Sequence, residues 1–147
     1  MRYLVDTNVI VRAIHPGDPL RVFAQQALRG LRSQNHRLCI FPQNVAEFWA
    51  VCTRPAGPQG NGLGLSPAIA RRLITRFEPL FDLYYETPGV YRQWKRLLAV
   101  REISGRQVHD TRLVAAAIVH DFERILTFDI VHFGRYEGIE IVDPRNV

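Results

Sequence analysis

Lysine is nearly missing from this chain of 147 residues: of its 19 basic residues, only Lys95 is not an arginine. Its basic surface is therefore made of planar guanidinium groups, which suit bidentate contact with phosphate better than ammonium groups do. Cysteine is scarce too, at two residues. Cys39 and Cys52 stand in apolar contexts without metal-like spacing, which argues against a disulfide scaffold or a zinc module. They read as small buried hydrophobes in a reducing compartment, with a disulfide the weaker reading. No apolar run approaches the roughly 20 residues that span a bilayer. Asp6 falls where a signal peptide would continue its hydrophobic stretch, so the cytoplasm is the expected location. Internal repeats, low-complexity tracts and linkers are absent as well, and residues 1–147 are read as a single domain.

What is present is ordinary in amount and uneven in sign. Hydrophobic residues make up 47% and charged residues 22%, as in globular proteins rather than disordered ones. A chain of this length buries roughly two-thirds of the surface exposed by its unfolded form. Basic residues exceed acidic ones by 19 − 14 = 5, and the pI is near 9.8. That balance favours a polyanionic partner without requiring one.

The pattern of elements is strand and helix in alternation. Residues 2–5 read as a short apolar strand, followed by a mostly buried helix from Thr7 to about His15. Asp18-Pro19 gives a cap and a first-turn proline for a helix to about Leu31. Residues 38–41 form a buried-type strand, and Pro42-Gln43-Asn44 opens a helix to about Thr53. Residues 55–65 are rich in Gly and Pro and form the one long loop, a lid over substrate or an idle segment. Ser66-Pro67 starts a helix to about Phe77, and Leu80–Tyr85 reads as a strand. Thr87-Pro88 opens a helix to about Val100, and Asp110 opens another to about His120. Arg124–Thr127 is a strand, 130–135 a short helical turn, and 139–142 the last strand. Such alternation implies a parallel sheet covered on both faces.

Four acidic residues stand where strands or loops give way to helices. Asp6 ends the first strand, and Glu47 lies early in the helix after the second, with Asn44 on the same face. Asp110 stands at a helix start, and Asp129 follows the fourth strand. In a parallel sheet these ends point the same way, so the carboxylates can converge. Taken singly, Asp6 and Asp110 also fit helix caps, and Glu47 a solvated helix position. The stretch Val45–Val51 is too apolar for a solvated face, and an unpaired buried carboxylate is costly. Converging carboxylates repel one another unless a cation sits between them. A hard divalent ion such as Mg²⁺ or Mn²⁺ fits oxygen donors, and it activates water so that no side-chain nucleophile is needed. Asp121, Asp82 and Asp143 are left outside the set.

The motifs Leu4-Val5-Asp6-Thr7-Asn8, Asn44-Val45-Ala46-Glu47-Phe48, His109-Asp110-Thr111-Arg112-Leu113-Val114-Ala115-Ala116 and Ile125-Leu126-Thr127-Phe128-Asp129 together resemble the PIN-domain nucleases. The likeness is greatest to the VapC-like toxins of type II toxin–antitoxin modules, and it runs from about residue 2 to 142. It implies a three-layer α/β/α fold with a central five-stranded parallel sheet in the order 3-2-1-4-5. It implies a metal-dependent endoribonuclease, with Mg²⁺ or Mn²⁺ held by Asp6, Glu47, Asp110 and Asp129. Asn8, Thr127 and Asn44 would shape the pocket. RNA would be the substrate, an antitoxin protein the partner, and a homodimer the assembly. One departure stands out: in Thr127-Phe128-Asp129-Ile130-Val131-His132-Phe133, Asp replaces the usual Asn and His132 replaces a later acid. Asp129 is taken as the fourth acid, and His132 is read either as a surface histidine, the stronger reading, or as a metal ligand or phosphate contact. Arg54, Arg106, His109 and Arg112 flank the site in sequence as candidates to hold phosphates. Two rivals stay open, a PIN module that binds nucleic acid without cutting it and a phosphatase with Asp6 as nucleophile. Asn8 stands where the latter usually has a second acid.

Overall fold

A computed structural model describes residues 1–147 and shows five strands and seven α-helices. Strands β1 (Arg2–Val5), β2 (Arg37–Ile40), β3 (Asp82–Leu83), β4 (Arg124–Leu126) and β5 (Glu140–Val142) are all parallel. Their spatial order is β3-β2-β1-β4-β5, as expected. The register sets Tyr3 opposite Leu38 on one side and Arg124 on the other.

Side chains alternate across the pleat, so each strand feeds two cores. Tyr3, Val5, Leu38, Ile40 and Leu126 enter one apolar cluster. Helices α1 (Thr7–Ile14), α2 (Arg21–Ser33), α3 (Pro42–Thr53) and α4 (Pro67–Phe77) close that face, through Val9, Ala27, Phe48 and Ala70 among others. Leu4, Cys39, Phe41 and Ile125 enter the second cluster, under α5 (Pro88–Val100), α6 (Gln107–Val119) and α7 (Ile130–Phe133). This is the three-layer arrangement. The two cysteines are free and buried, one in each cluster, and burial pushes their thiols up to about 12 and about 11. No helix is long and apolar enough to cross a membrane.

Several boundaries differ from the sequence reading. Helix α6 starts at Gln107 rather than Asp110, because Gly105 at φ 55° turns the chain there and Asp110 lies in the helix's first turn. The expected strand Leu80–Tyr85 shrinks to Asp82–Leu83, because Glu78–Leu80 forms a 3₁₀ turn at Pro79 and only two residues pair with β2. Helix α2 begins at Arg21, with Asp18 accepting from the Leu20 N–H at 2.8 Å and from Arg12 at 3.1 Å. Ser66 caps α4 as read, accepting from the Ile69 N–H at 3.3 Å.

The loop at 55–65 is irregular, and its second half is tied down. Leu63 and Leu65 donate to the carbonyls of Val51 and Cys52 at 2.9 and 2.8 Å, and Gly64 to that of Arg54 at 2.8 Å. These bonds satisfy carbonyls that the end of α3 would otherwise leave open. Gly62 makes the fold-back feasible, since a Cβ there would lie 2.2 Å from the Arg54 carbonyl oxygen.

Candidate functional site

Strand order reverses beside β1: the chain winds outward through β2 and β3, then returns to β4 on the other side. A crevice opens at the carboxyl ends of strands where such a reversal occurs. Asp6 follows β1 there, its N–H giving the last rung to the Leu126 carbonyl at 3.0 Å. It stands at the start of α1, yet its carboxylate makes no capping hydrogen bond to that helix. Instead Asp6 Oδ2 accepts from the Thr127 hydroxyl at 2.7 Å. The same Thr127 oxygen accepts from Asn8 Nδ2 and from the Asp129 N–H, both at 3.0 Å. Asn8 Oδ1 in turn accepts from the Phe128 N–H at 3.3 Å. One hydroxyl thus fixes Asp6, Asn8 and the turn that carries Asp129.

Glu47 reaches the site from α3. Its Oε2 accepts from the Thr7 hydroxyl at 2.8 Å and its Oε1 from Gln43 Nε2 at 2.7 Å. Gln43 also donates to the His109 carbonyl at 2.8 Å, joining α3 to the first turn of α6. Asn44 is fully buried, accepting from the Phe41 N–H at 2.8 Å and donating to the Val5 carbonyl at 3.2 Å and Thr7 Oγ1 at 3.1 Å. It locks the start of α3 onto the end of β1. Thr7 and Gln43 were not singled out in the sequence; a hydroxyl beside Asp6 and an amide one turn before Glu47 are the signals that were there.

The four acids feel one another. Burial pushes Asp6 up to about 7, and the charges of Asp110 and Glu47 add to it against the Thr127 hydrogen bond. Burial also pushes Asp110 up to about 6, with Asp129 and Glu47 adding and His132 and His109 opposing. None of the ion pairs in the structure sets an Arg or Lys against Asp6, Glu47, Asp110 or Asp129. Asp110 and Asp129, with His132, bring ligand atoms within 4.8 Å of one another, while Asp6 and Glu47 act on Asp110 and on each other through charge. An oxygen-rich donor set without an arginine or lysine counter-charge fits a divalent cation.

His132 is half-buried. Its Nδ1 lies 2.6 Å from Asp129 Oδ2, and its Nε2 lies 3.3 Å from Gln107 Nε2. The single turn of α7 puts positions 129 and 132 on one side, which aims the ring into the acidic group.

The flanking cations are scattered. His109 is close enough to Asp110 to draw its pKa down. Arg106 is exposed ahead of α6 and its side chain makes no hydrogen bond. Arg112 is held by Glu86 at 2.6 Å. Arg54 closes α3 and folds onto its own helix, donating to the Ala50 carbonyl at 3.2 Å. It lies seven residues beyond Glu47, roughly 10 Å along the helix.

The PIN domain profile matches residues 3–138. The chain belongs to the PIN-domain family. Solved structures share this PIN fold across nearly their whole length. VapBC2 from Rickettsia felis, bound to a DNA fragment from its promoter, aligns with a TM-score of 0.74 at 17% identity, over 97% of this chain and 98% of that one. FitAcB from Neisseria gonorrhoeae aligns at 0.69 with 20% identity, over 100% of both chains. VapC20 from Mycobacterium tuberculosis, a toxin that cleaves the sarcin–ricin loop, aligns at 0.66 with 14% identity, over 90% of this chain and 93% of that one. No curated protein matches this PIN domain in sequence. At such identities the structural likeness speaks for the fold.

Proposed function

We propose that the protein is a metal-dependent endoribonuclease and the toxin of a toxin–antitoxin module, hydrolysing RNA phosphodiesters. The observation that supports this reading is the charge coupling of Asp6 with Glu47 and Asp110, and of Asp110 with Asp129, none of them paired with an arginine or lysine. These four side chains would hold Mg²⁺ or Mn²⁺. When bound, such a cation supplies the charge that readies water for attack and steadies the phosphoryl oxygens.

The residues around it act through position. Thr127 holds Asp6 at one fixed orientation, while Thr7 and Gln43 hold both oxygens of Glu47. A first shell fixed in this way needs little rearrangement when charge develops on the substrate. Arg106 and His109, at the mouth of α6, are the side chains free to meet phosphate groups, more so than Arg112 and Arg54, which are engaged elsewhere.

The antitoxin part of the reading rests on the fold shared with VapBC and FitAB complexes. It is supported by an apolar groove of about 220 Å³ between α1 and α2, lined by Ile10, Ile14, Leu28, Phe77 and Phe81 together with Arg29 and Arg32. Exposed Val22 and Phe23 on α2 and Ile69 on α4 offer surface for a second copy or for an antitoxin.

Purified protein should cut RNA with Mg²⁺ or Mn²⁺ present, and should stop on addition of EDTA or on Asp6→Asn. Expression should arrest growth, and Asp6→Asn should relieve the arrest. Cleavage that persists without metal, or in Asp6→Asn, would overturn the reading. Binding of RNA that ignores metal, with no cutting over a broad panel, would favour a non-catalytic binding module.

A further inference from the structure

His132 brings a different kind of donor among the carboxylates. One of its ring nitrogens and one carboxylate oxygen each from Asp110 and Asp129 all lie within 4.8 Å of one another. Nδ1 and Asp129 Oδ2 are 2.6 Å apart. Two ligands of one ion, with bonds of about 2.1 Å at a right angle, stand about 3 Å apart, so a small outward shift would make this pair a chelate.

The contact is not spent on holding the helix turn. Asp129 Oδ1 already accepts from the His132 N–H at 3.3 Å and caps α7, leaving Oδ2 for the ring. The far side of the ring is held as well. Gln107 stands 3.3 Å from Nε2, and its own oxygen accepts from Arg135 at 3.4 Å. Histidines that ligate metals commonly have their second ring nitrogen steadied by a hydrogen-bond acceptor. A half-turn of the Gln107 amide would offer its oxygen to Nε2–H in exchange for its bond with Arg135, and a cation would then take the place of the Nδ1 proton beside Asp129.

We propose that Asp110, Asp129 and the His132 imidazole form a mixed oxygen–nitrogen cation site that selects first-row transition ions over Mg²⁺. The inference rests on the metal reading above and narrows it. Mg²⁺ asks for oxygen donors in near-ideal octahedral array and gives up water reluctantly. Imidazole suits Co²⁺ and Zn²⁺, and affinity for such donors rises across the first-row series.

The test uses the full chain without RNA, titrated calorimetrically with Mg²⁺ and with Co²⁺, alongside His132→Asp and His132→Gln. Wild type should bind Co²⁺ more tightly than Mg²⁺. Both variants should lose about tenfold or more of that preference, a loss of the size seen when a metal site loses a supporting group. His132→Asp should keep or improve Mg²⁺ binding, because it restores an all-oxygen set. The imidazole nitrogens of His132 should also shift in NMR spectra on addition of Zn²⁺. An unchanged Co²⁺-to-Mg²⁺ ratio in folded His132→Gln, or His132 nitrogens that ignore Zn²⁺, would overturn the site. A wild-type protein that shows this selectivity yet leaves RNA intact would support the site while counting against the nuclease reading alone.

Discussion

The Thr127 hydroxyl donates to Asp6 Oδ2 across 2.7 Å, joining side chains 121 residues apart in sequence at the ends of two adjacent strands. The same oxygen receives two hydrogen bonds, so its loss is felt at three places. Thr127→Val keeps the shape and removes the oxygen. Asn8 Nδ2 and the Asp129 N–H would lose their acceptor, at a cost of about 1–3 kcal/mol for polar groups left unsatisfied. Urea unfolding should show that loss, and RNA cleavage should fall with it as Asp6 and Asp129 lose their fixed positions.

Asp6 and Asp110 together set a pH dependence of stability. Both have folded pKa values above the ordinary 3.8, at about 7 and about 6. The folded state therefore holds protons that the unfolded state releases between pH 4 and 7. In EDTA, the stability contributed by these groups is fully present below pH 4. It is lost as pH rises through about 6 and about 7, and levels off above. Thermal melts in EDTA should show this decline, and Asp6→Asn should flatten it and raise the melting temperature at pH 8. A divalent cation at pH 8 should restore stability in the wild type, because it binds the folded chain.

Asn44 makes three hydrogen bonds in full burial between β1, α1 and α3. Asn44→Ala should destabilise the protein by about 1–6 kcal/mol, taking one orphaned buried group or two at about 1–3 kcal/mol each. Near-ultraviolet circular dichroism should then show a loosened site even where the helices persist.

Arg106 and Arg112 should separate in a substrate assay. Arg106 has no partner to lose, so Arg106→Ala should leave stability unchanged and raise KM for RNA. A phosphate contact there would also lower the salt slope of RNA binding by about 0.7. Arg112→Ala breaks an exposed pair with Glu86 and should cost under about 1 kcal/mol. Its effect on KM should be smaller than that of Arg106→Ala.

Gly62→Ala tests the tie between the long loop and α3. The added methyl would meet the Arg54 carbonyl at 2.2 Å, and the displacement should cost about 1–3 kcal/mol. Proteolysis near residues 55–62 should quicken in the variant.

The sheet and its order could be read in advance because β1, β2 and β4 alternate apolar residues to two faces, and because each is followed by helical spacing. Asp6, Glu47 and Asp110 were visible at handovers between elements. The start of α6 was not, because Asp110 resembles a capping residue while Arg106 and Gln107 carry no such signal. The pairing of Arg112 with Glu86 spans 26 residues and leaves no trace in local pattern. The choice between the two readings of His132 needed the structure for a related reason: its partner Asp129 is near in sequence, but only the turn of α7 brings the ring against that carboxylate. Thr7 and Gln43 act by orienting another side chain, and nothing in their own neighbourhoods marks that role.

The path of the chain through the sheet has a consequence for the order of events during synthesis. Strand β1 emerges from the ribosome early, but its neighbour β4 and the Thr127–Asp129 turn come only after some 120 further residues. At about 5–20 residues per second, that is an interval of several seconds in which Asp6 has neither its hydrogen-bond donor nor Asp129, the fourth acid. A nascent chain therefore carries no finished site until the turn after β4 has left the ribosome.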